Sequence, residues 1–323
     1  MVGLKLVLIV IFTTCYLPQS SPLGITLDTH YHLSPPSTPL PPSATVTEYD
    51  AFTSSLKVTK SVCTQPAALY ANHNYLLTHA SDNRKAVGLF TPPPSTKVYD
   101  SDNPNTHTSI HSIDTFTNLQ SSSPSLLGVR LNPSLFPSED SSLPLSSNPD
   151  LLRLYKHLST ISYTGPTLKH FNDRSELVGR AGVASLLCMS GFNTVEEDVL
   201  RLLDVSPDTP LVIDHFGFTR IGTKEGDEDF QRLISLLQDS RSLYVRASAG
   251  FRVVGDGDLG RVGRERLGPC LESKRERVLW GTDWPFCGEE GGKEWKDISE
   301  RMGVEDRWGE ELYGFLTVDE KQL

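Results

Sequence analysis

Short apolar segments that end in an ionisable residue recur along this chain, with helical segments between them. The clearest examples run from Ile25 to His32, from Leu211 to Gly217 and from Arg277 to Pro285. All the strand-like segments together number eight, at 25–32, 60–67, 85–90, 126–132, 182–189, 210–215, 242–250 and 278–283. Eight such strands alternating with helices predict an α/β fold, a (β/α)8 TIM barrel, because a sandwich would show hairpin turns between its strands.

The barrel domain is expected to span residues 24–323, preceded by a segment, 1–23, of a different character. That segment has one lysine, Lys5, followed by an apolar run over 6–12 that is too short to span a bilayer. It has the outline of a secretory signal but no clear small-residue cleavage site, so it is either a signal peptide or an N-terminal extension. A signal would place the protein in the secretory pathway or outside the cell, and an extension would leave it cytoplasmic.

Composition excludes several classes of partner. The net charge is −10, and no basic run is present to neutralise phosphates, so nucleic acid is not expected as a partner. The five cysteines have neither CxxC nor zinc-type spacing, so the sequence predicts no disulfide framework and no cysteine metal site. We expect a small-molecule substrate, and no membrane partner beyond the possible signal.

Several ionisable side chains follow the predicted strands directly. His30 and His32 alternate in an extended strand and therefore share one face. The carboxyl ends of barrel strands converge on one mouth, where the active sites of such enzymes lie. The strand-end residues expected there are His30, His32, Arg130, His215 and Asp283, with Arg252 just past the seventh strand.

These motifs together resemble one known family. They are Asp28-Thr29-His30-Tyr31-His32, Gln65-Pro66 with Asn74 downstream, Gly128-Val129-Arg130-Leu131-Asn132, Val212-Ile213-Asp214-His215-Phe216-Gly217, Ser248-Ala249-Gly250-Phe251-Arg252, Trp280-Gly281-Thr282-Asp283-Trp284-Pro285 and Leu312-Tyr313-Gly314-Phe315. In this order they are similar to the amidohydrolase-related family, a TIM-barrel superfamily of metal-dependent hydrolases. Within it they are most similar to the 2-pyrone-4,6-dicarboxylate hydrolase and sugar-lactonase branch.

The resemblance also bears on a metal cofactor. Metal-dependent members of the superfamily add a histidine at the end of strand five, whereas this chain has Leu187-Cys188-Met189 there. Strand four ends in Arg130, whose guanidinium would repel a divalent cation. The hypothesis favoured is therefore a site without a cofactor. The alternative is a single zinc ion held by His30, His32, His215 and Asp283.

The chemistry that the resemblance implies is the opening of a lactone or cyclic ester. Asp283 is the candidate general base, although it could instead only orient a neighbouring histidine. His30, His32 and His215 would polarise the carbonyl and move the proton. Asp28 and Asp214 are expected to point away from the site and to have structural roles. The candidate substrate-binding residues are Arg130, Arg252, Asn74, Gln65 and Phe218, the two arginines as carboxylate clamps.

Two positions depart from the dicarboxylate-binding members of the family. Phe218 stands where those members tend to carry a basic residue, and Phe286 where they often carry a histidine. A less anionic and more apolar ligand is therefore expected. The alternatives to a lactonase are a zinc-dependent decarboxylase or hydratase of the same superfamily, and a catalytically inactive paralogue.

Overall fold

The computed structural model describes residues 24–36, 44–66, 73–91, 110–135, 147–160, 170–171, 177–179, 182–255 and 257–313. The possible signal segment 1–23 lies outside the described residues, as do most residues of the Pro/Ser-rich segments 34–43, 91–109 and 133–149. In the described part of the chain no helix combines the length and apolar character needed to cross a bilayer.

Eight parallel strands form one sheet that is nearly closed into a barrel, which confirms the predicted fold. Its strands, in the order in which they pair, are β1 (Leu27–Tyr31), β2 (Lys60–Thr64), β3 (Arg84–Leu89), β4 (Leu126–Leu131), β7 (Val183–Leu186), β8 (Leu211–Ile213), β9 (Leu243–Ala247) and β10 (Val278–Trp280). Each pairs with the next in parallel. A two-stranded antiparallel hairpin, β5 (His170–Phe171) and β6 (Leu177–Gly179), was not predicted from the sequence.

Helices occupy most of the segments between the strands, as the alternating pattern predicts. The described α-helices are α1 (Val46–Leu56), α2 (Asn74–Thr78), α3 (Ile113–Ser122), α4 (Pro149–Leu158), α5 (Glu196–Val205), α6 (Lys224–Asp239), α7 (Gly250–Val253), α8 (Leu259–Val262), α9 (Gly268–Lys274), α10 (Gly288–Arg301) and α11 (Asp306–Leu312). Several are amphipathic; α6, for example, buries Phe230, Leu233 and Leu237.

The barrel interior is filled by side chains that alternate along the strands. A lower apolar layer includes Leu27, Val62, Val183 and Val212 and is closed by Tyr313, the residue after α11. Two positions further along their strands, toward the carboxyl ends, the same face carries polar groups. The inner core is therefore apolar at its base and polar at its mouth, as in other barrels whose sites lie at the carboxyl ends of the strands.

The barrel closes where β1 meets the chain just beyond β10. The buried carboxylate of Asp28 accepts hydrogen bonds from the Thr282 backbone N–H at 3.0 Å and from the Thr282 hydroxyl at 2.7 Å. One residue further on, the Asp283 N–H donates to the His30 carbonyl at 2.8 Å. We call these contacts the β1–β10 seam. Asp28 therefore has the structural role expected for it, and the seam fixes the backbone of both His30 and Asp283.

Candidate active site

The carboxylate of Asp283 lies at the centre of a cluster of buried side chains. Its Oδ1 atom faces three imidazoles, and the distances from Oδ1 to their Nε2 atoms are 3.4 Å for His30, 3.3 Å for His32 and 3.8 Å for His215. Its other oxygen, Oδ2, accepts a hydrogen bond of 3.0 Å from Nε of Arg252. Residues from the ends of β1, β8 and β10 thus surround one carboxylate at the mouth of the barrel.

Hydrogen bonds on the far side of each ring orient the outer two imidazoles. Nδ1 of His32 lies 2.7 Å from the Thr64 carbonyl, which can only accept, so Nδ1 carries a proton and Nε2 is left to face the site. Nδ1 of His215 lies 2.8 Å from the Ser248 hydroxyl, which can donate or accept. The partners at Thr64 and Ser248 therefore hold both rings with Nε2 pointing toward Asp283.

The backbone takes an unusual conformation at two of these residues. His215 and Asp283 both have positive φ, 55° and 63°. The left-handed region costs a non-glycine residue roughly 1–2 kcal/mol, so it persists only where the surrounding structure imposes it. His215 lies two positions beyond the end of β8 and Asp283 three positions beyond the end of β10, and their side chains meet at the mouth of the barrel.

A second ionic cluster lies beneath the histidines, and it corrects one expectation. Asp214 does not point away from the site. It is fully buried, pairs with Nη1 of Arg246, and lies 3.4 Å from Nε of Arg130. The Ser185 hydroxyl also donates to it at 2.8 Å. The alternation of β8 explains this placement, because Asp214 follows the inward-facing Val212 by two residues.

The predicted substrate-binding residues occupy different places. Arg130 is buried and donates from Nη1 to the Gln65 carbonyl at 3.4 Å, so its guanidinium and Gln65 lie together. The Phe218 ring is partly buried and lies edge-on to His215, with ring centroids 5.3 Å apart. Asn74 begins α2 and is exposed. A role for these residues in substrate binding remains a prediction.

Arg246 is a residue of this cluster that the sequence analysis did not single out. It lies in β9, is 0% exposed, and is the largest fully buried side chain of the described residues. Its Nη1 lies 2.9 Å from Nδ1 of His30. The sequence signal that could have identified Arg246 is a charged residue inside the apolar run Leu243 to Ala247. Arg246 also shares the strand face of Ser248, which contacts His215.

Burial and neighbouring charges set the protonation of the cluster. Burial lowers the pKa of His30 well below its ordinary value and lowers the pKa of His215 to about 4, although carboxylates nearby oppose the effect. Burial alone would raise the pKa of Asp283, but the adjacent imidazoles of His215, His30 and His32 bring that pKa well below the ordinary value. At neutral pH Asp283 is therefore ionised, while His30 and His215 are neutral.

The spacing of the donors allows a divalent metal. Two ligands of a tetrahedral zinc ion, each about 2.1 Å from the metal, lie about 3.4 Å from each other. The distances from Oδ1 of Asp283 to the three imidazoles, 3.3 to 3.8 Å, are close to this value. His32 also has the orientation of a metal-binding histidine, with Nδ1–H donated to a carbonyl.

The net positive charge of the cluster disfavours a metal ion, and the contacts of His30 are not those of a metal-binding histidine. Three guanidinium groups lie in or beside the cluster, against the two carboxylates Asp214 and Asp283. A dication would add to this positive excess. Nδ1 of His30 faces a guanidinium rather than an acceptor, which is the reverse of the second-shell contact that a metal-binding histidine makes. Two groups of described residues have donor spacing that suits a metal, His30 with His32 and Asp283, and His30 with Asp214 and His215, so the unsuitable ring is the donor that both groups share.

Fold and cluster together define a (β/α)8 barrel with a histidine and aspartate site at its mouth. The model of the amidohydrolase family matches residues 176–318. This part of the chain is therefore similar to the amidohydrolase family, and the motifs in the first half of the chain resemble the same family. The resemblance found in the sequence is thereby confirmed.

Solved structures share this fold at low sequence identity. A probable 2-pyrone-4,6-dicarboxylic acid hydrolase from Acinetobacter baumannii with citric acid bound has a TM-score of 0.63 and 19% identity, over 90% of this chain and 99% of that chain. A 2,6-dihydroxybenzoate decarboxylase from Rhizobium has a TM-score of 0.52 and 12% identity, over 90% and 98%. An amidohydrolase from Burkholderia multivorans with bound zinc has a TM-score of 0.50 and 13% identity, over 93% and 95%. At these identities the likeness establishes the fold alone.

Proposed function

We propose that this protein hydrolyses a lactone or cyclic ester that carries a carboxylate, with Asp283 as the general base and without a metal. One observation carries the proposal. Three imidazole nitrogens and one guanidinium converge on the two oxygens of a single buried carboxylate. Such a site can take a proton from water and stabilise negative charge that develops beside it.

The reaction needs only groups that the site contains. Ionised Asp283 accepts a proton from water as the water oxygen bonds to the carbonyl carbon of the lactone. N–H groups of the histidine cluster stabilise the oxyanion that forms. The bond from that carbon to the ring oxygen then breaks, and the proton passes from Asp283 through His32 to the leaving oxygen. The product is an open-chain hydroxy acid.

Positive charge in the site supports a substrate with a carboxylate. Arg252 lies at the mouth with 27% of its side chain exposed, whereas Arg130 is buried and paired with Asp214. Arg252 is therefore the arginine that a substrate can reach, and one accessible guanidinium favours one carboxylate. The related hydrolase from Acinetobacter baumannii has citric acid bound, a ligand with several carboxylates.

The rim of the site supports an apolar body for that substrate. The guanidinium carbon of Arg252 lies 4.7 Å from the centre of the Phe286 ring, and this ring is 5.8 Å from His32. Phe286 is 40% exposed, and the partly buried Phe218 ring lies edge-on to His215. Two aromatic rings at the mouth favour a substrate less polar than a pyrone dicarboxylate.

A zinc-dependent decarboxylase or hydratase is the second candidate function. The observation that favours it is the spacing of His30, His32 and Asp283, whose donor atoms all lie within 4.8 Å of one another and would hold the ion. A divalent ion there would polarise a substrate oxygen as a Lewis acid. The decarboxylase from Rhizobium shares the fold.

The test combines metal content with turnover. Purified protein is assayed for zinc and for hydrolysis of pyrone, sugar and alkyl lactones, before and after chelation, beside Asp283→Asn. We expect substoichiometric zinc, turnover that survives chelation, and a loss of kcat between about 10²- and 10⁴-fold in the variant.

A matched control separates this loss from general damage. Asp297→Asn removes an exposed carboxylate on α10 and is expected to leave turnover unchanged. Stoichiometric zinc with activity abolished by chelation would support the second candidate instead. No lactone turnover above the Asp283→Asn background would reject the lactonase proposal.

A further inference from the structure

Arg246 makes contacts on both sides of the barrel interior. Besides Nδ1 of His30 at 2.9 Å, its Nη1 contacts the Ser185 hydroxyl at 3.0 Å and the carboxylate of Asp214. Its Nη2 donates to the Tyr313 hydroxyl at 2.6 Å. The guanidinium is therefore fixed by a countercharge, two hydroxyls and an imidazole, in a place that solvent does not reach.

The chemistry of the two groups decides where the proton of His30 lies. A guanidinium has five N–H donors and no acceptor, and it stays charged in proteins. A protonated Nδ1 on His30 would direct N–H against N–H across 2.9 Å. Nδ1 must therefore be the acceptor, and the ring proton sits on Nε2.

We propose that Arg246 is a positioning residue that fixes His30 in the tautomer with its proton on Nε2, so that His30 presents an N–H donor rather than a metal-binding lone pair to the site. The catalytic role that this tautomer gives to His30 rests on the proposed function. It assigns His30 to oxyanion stabilisation, because Nε2–H points to the space beside Oδ1 of Asp283, 3.4 Å away. His32, with its proton on Nδ1, is left as the ring that receives and passes a proton.

The same contact makes His30 unsuitable as a ligand. For Nε2 to bind a cation, the ring would have to place its proton on Nδ1, directly against the guanidinium, or lose the proton altogether. Asp214 keeps Arg246 in place, since the pair is fully buried and neither group can leave without exposing the other's charge to an apolar interior.

The experiment measures the tautomer directly. Histidine-labelled full-length protein is studied by two-bond ¹H–¹⁵N correlation spectra at neutral pH, with and without one equivalent of zinc, and a His30→Asn spectrum assigns the signals of His30. The wild-type protein should show Nε2 protonated and Nδ1 not, and zinc should leave this pattern unchanged. An Nδ1–H signal for His30, or a shift of its Nε2 to a metal-bound value, would overturn the proposal.

Three variants test whether Arg246 is the cause. Arg246→Met should shift His30 toward the Nδ1–H tautomer and lower kcat by about 100-fold or more, in the range of a misplaced acid or base. Arg246→Lys, whose ammonium also only donates, should retain the wild-type tautomer. Tyr313→Phe removes a partner of Nη2 and should also retain it, since Nη1 keeps its contacts.

Outcomes for the tautomer and for the reaction are independent. A folded Arg246→Met protein with an unchanged His30 spectrum contradicts the proposal, whatever its activity. If Arg246→Met does not fold, the wild-type and Arg246→Lys spectra still decide it. A wild-type Nε2–H signal in a protein that hydrolyses no lactone would retain the inference about Arg246 and reject the proposed function alone.

Discussion

Arg252 holds one oxygen of Asp283 through a 3.0 Å hydrogen bond from Nε, and the arginine is the accessible member of the pair. The side chain of Asp283 is 1% exposed, against 27% for Arg252. A substrate that enters the mouth therefore meets the guanidinium first, while the carboxylate remains oriented behind it. In the proposed reaction, this pair would link binding of an anionic substrate to the orientation of the base.

Replacing Arg252 should impair both of these functions. Arg252→Lys keeps the charge but loses the planar donor geometry. We expect kcat/KM to fall about 10- to 100-fold, corresponding to about 1.5–3 kcal/mol for a hydrogen bond to a charged group. Arg252→Met should lose more, mainly through KM. Steady-state kinetics on a carboxylate-bearing lactone and on its neutral ester tests this, and equal losses on both substrates would argue against a clamp.

The rate of the proposed reaction should fall only at unusually low pH. Burial lowers the pKa of His215 to about 4, and the pKa of Asp283 also lies well below its ordinary value. The working state, with neutral His215 and ionised Asp283, is then fully formed above about pH 5 and lost as pH falls through about 4. A pH–rate profile should show its acid limb there. A limb centred near 6.5, the ordinary value for histidine, would contradict this assignment.

Stability should fall in the same acid range, for a related reason. Burial opposes ionisation of Asp214, but Arg246 and other cations outweigh it, so its folded pKa lies below the ordinary value. A lowered folded pKa contributes stability above the unfolded pKa, near 3.8, and this contribution is lost as pH falls below it. Circular dichroism across the pH range therefore accompanies the rate measurements, so that unfolding is not mistaken for titration of the site.

Neutralising Asp214 should strongly destabilise the barrel. Asp214→Asn leaves the buried Arg246 without its countercharge, and breaking a buried pair costs about 3–5 kcal/mol. Urea denaturation measures the change. The control is Asp208→Asn, which removes a surface partner of Arg241 at 2.8 Å and should cost about 1 kcal/mol or less. Similar values for the two variants would show that the pair beneath the histidines is not structurally important.

Phe286 should affect substrate choice without affecting the fold. It is 40% exposed and packs on the guanidinium of Arg252. Phe286→Ala should raise KM for aryl and alkyl lactones about 5-fold, the equivalent of roughly 1 kcal/mol of cation–π and apolar contact. Leu200→Ala, an exposed apolar residue on α5, should leave KM unchanged. Equal KM values for Phe286→Ala and the wild type would remove Phe286 from the substrate site.

The barrel and most of the histidine and aspartate cluster could be predicted from the sequence, because both depend on patterns within short continuous segments. Each strand is a short apolar run, and the predicted positions agree with the observed strands to within a few residues. The convergence of His30, His215 and Asp283 then follows from the parallel topology of the barrel. The hairpin of β5 and β6 carries too short a pattern to be predicted from period-2 alternation.

The inner ionic layer could not be predicted in this way. Alternation shows that Arg246 and Ser248 share a face but does not show whether that face is the interior or the helix side. An arginine in a strand is usually paired at the surface. Asp214 was misplaced for the same reason. Alternation places Asp214 on the same face as Val212, but only the structure shows that this face is the interior, where Arg246 pairs with Asp214.

The β1–β10 seam gives the molecule a built-in check on its own assembly. Asp28 accepts hydrogen bonds from Thr282, and Asp283 is the next residue. The contacts that close the barrel therefore also position the Asp283 carboxylate beside the imidazoles. A barrel that is open at the seam would not place the Asp283 carboxylate beside the imidazoles. If the proposed function holds, activity would therefore report only closed barrels, and a barrel open at the seam would be both inactive and less stable.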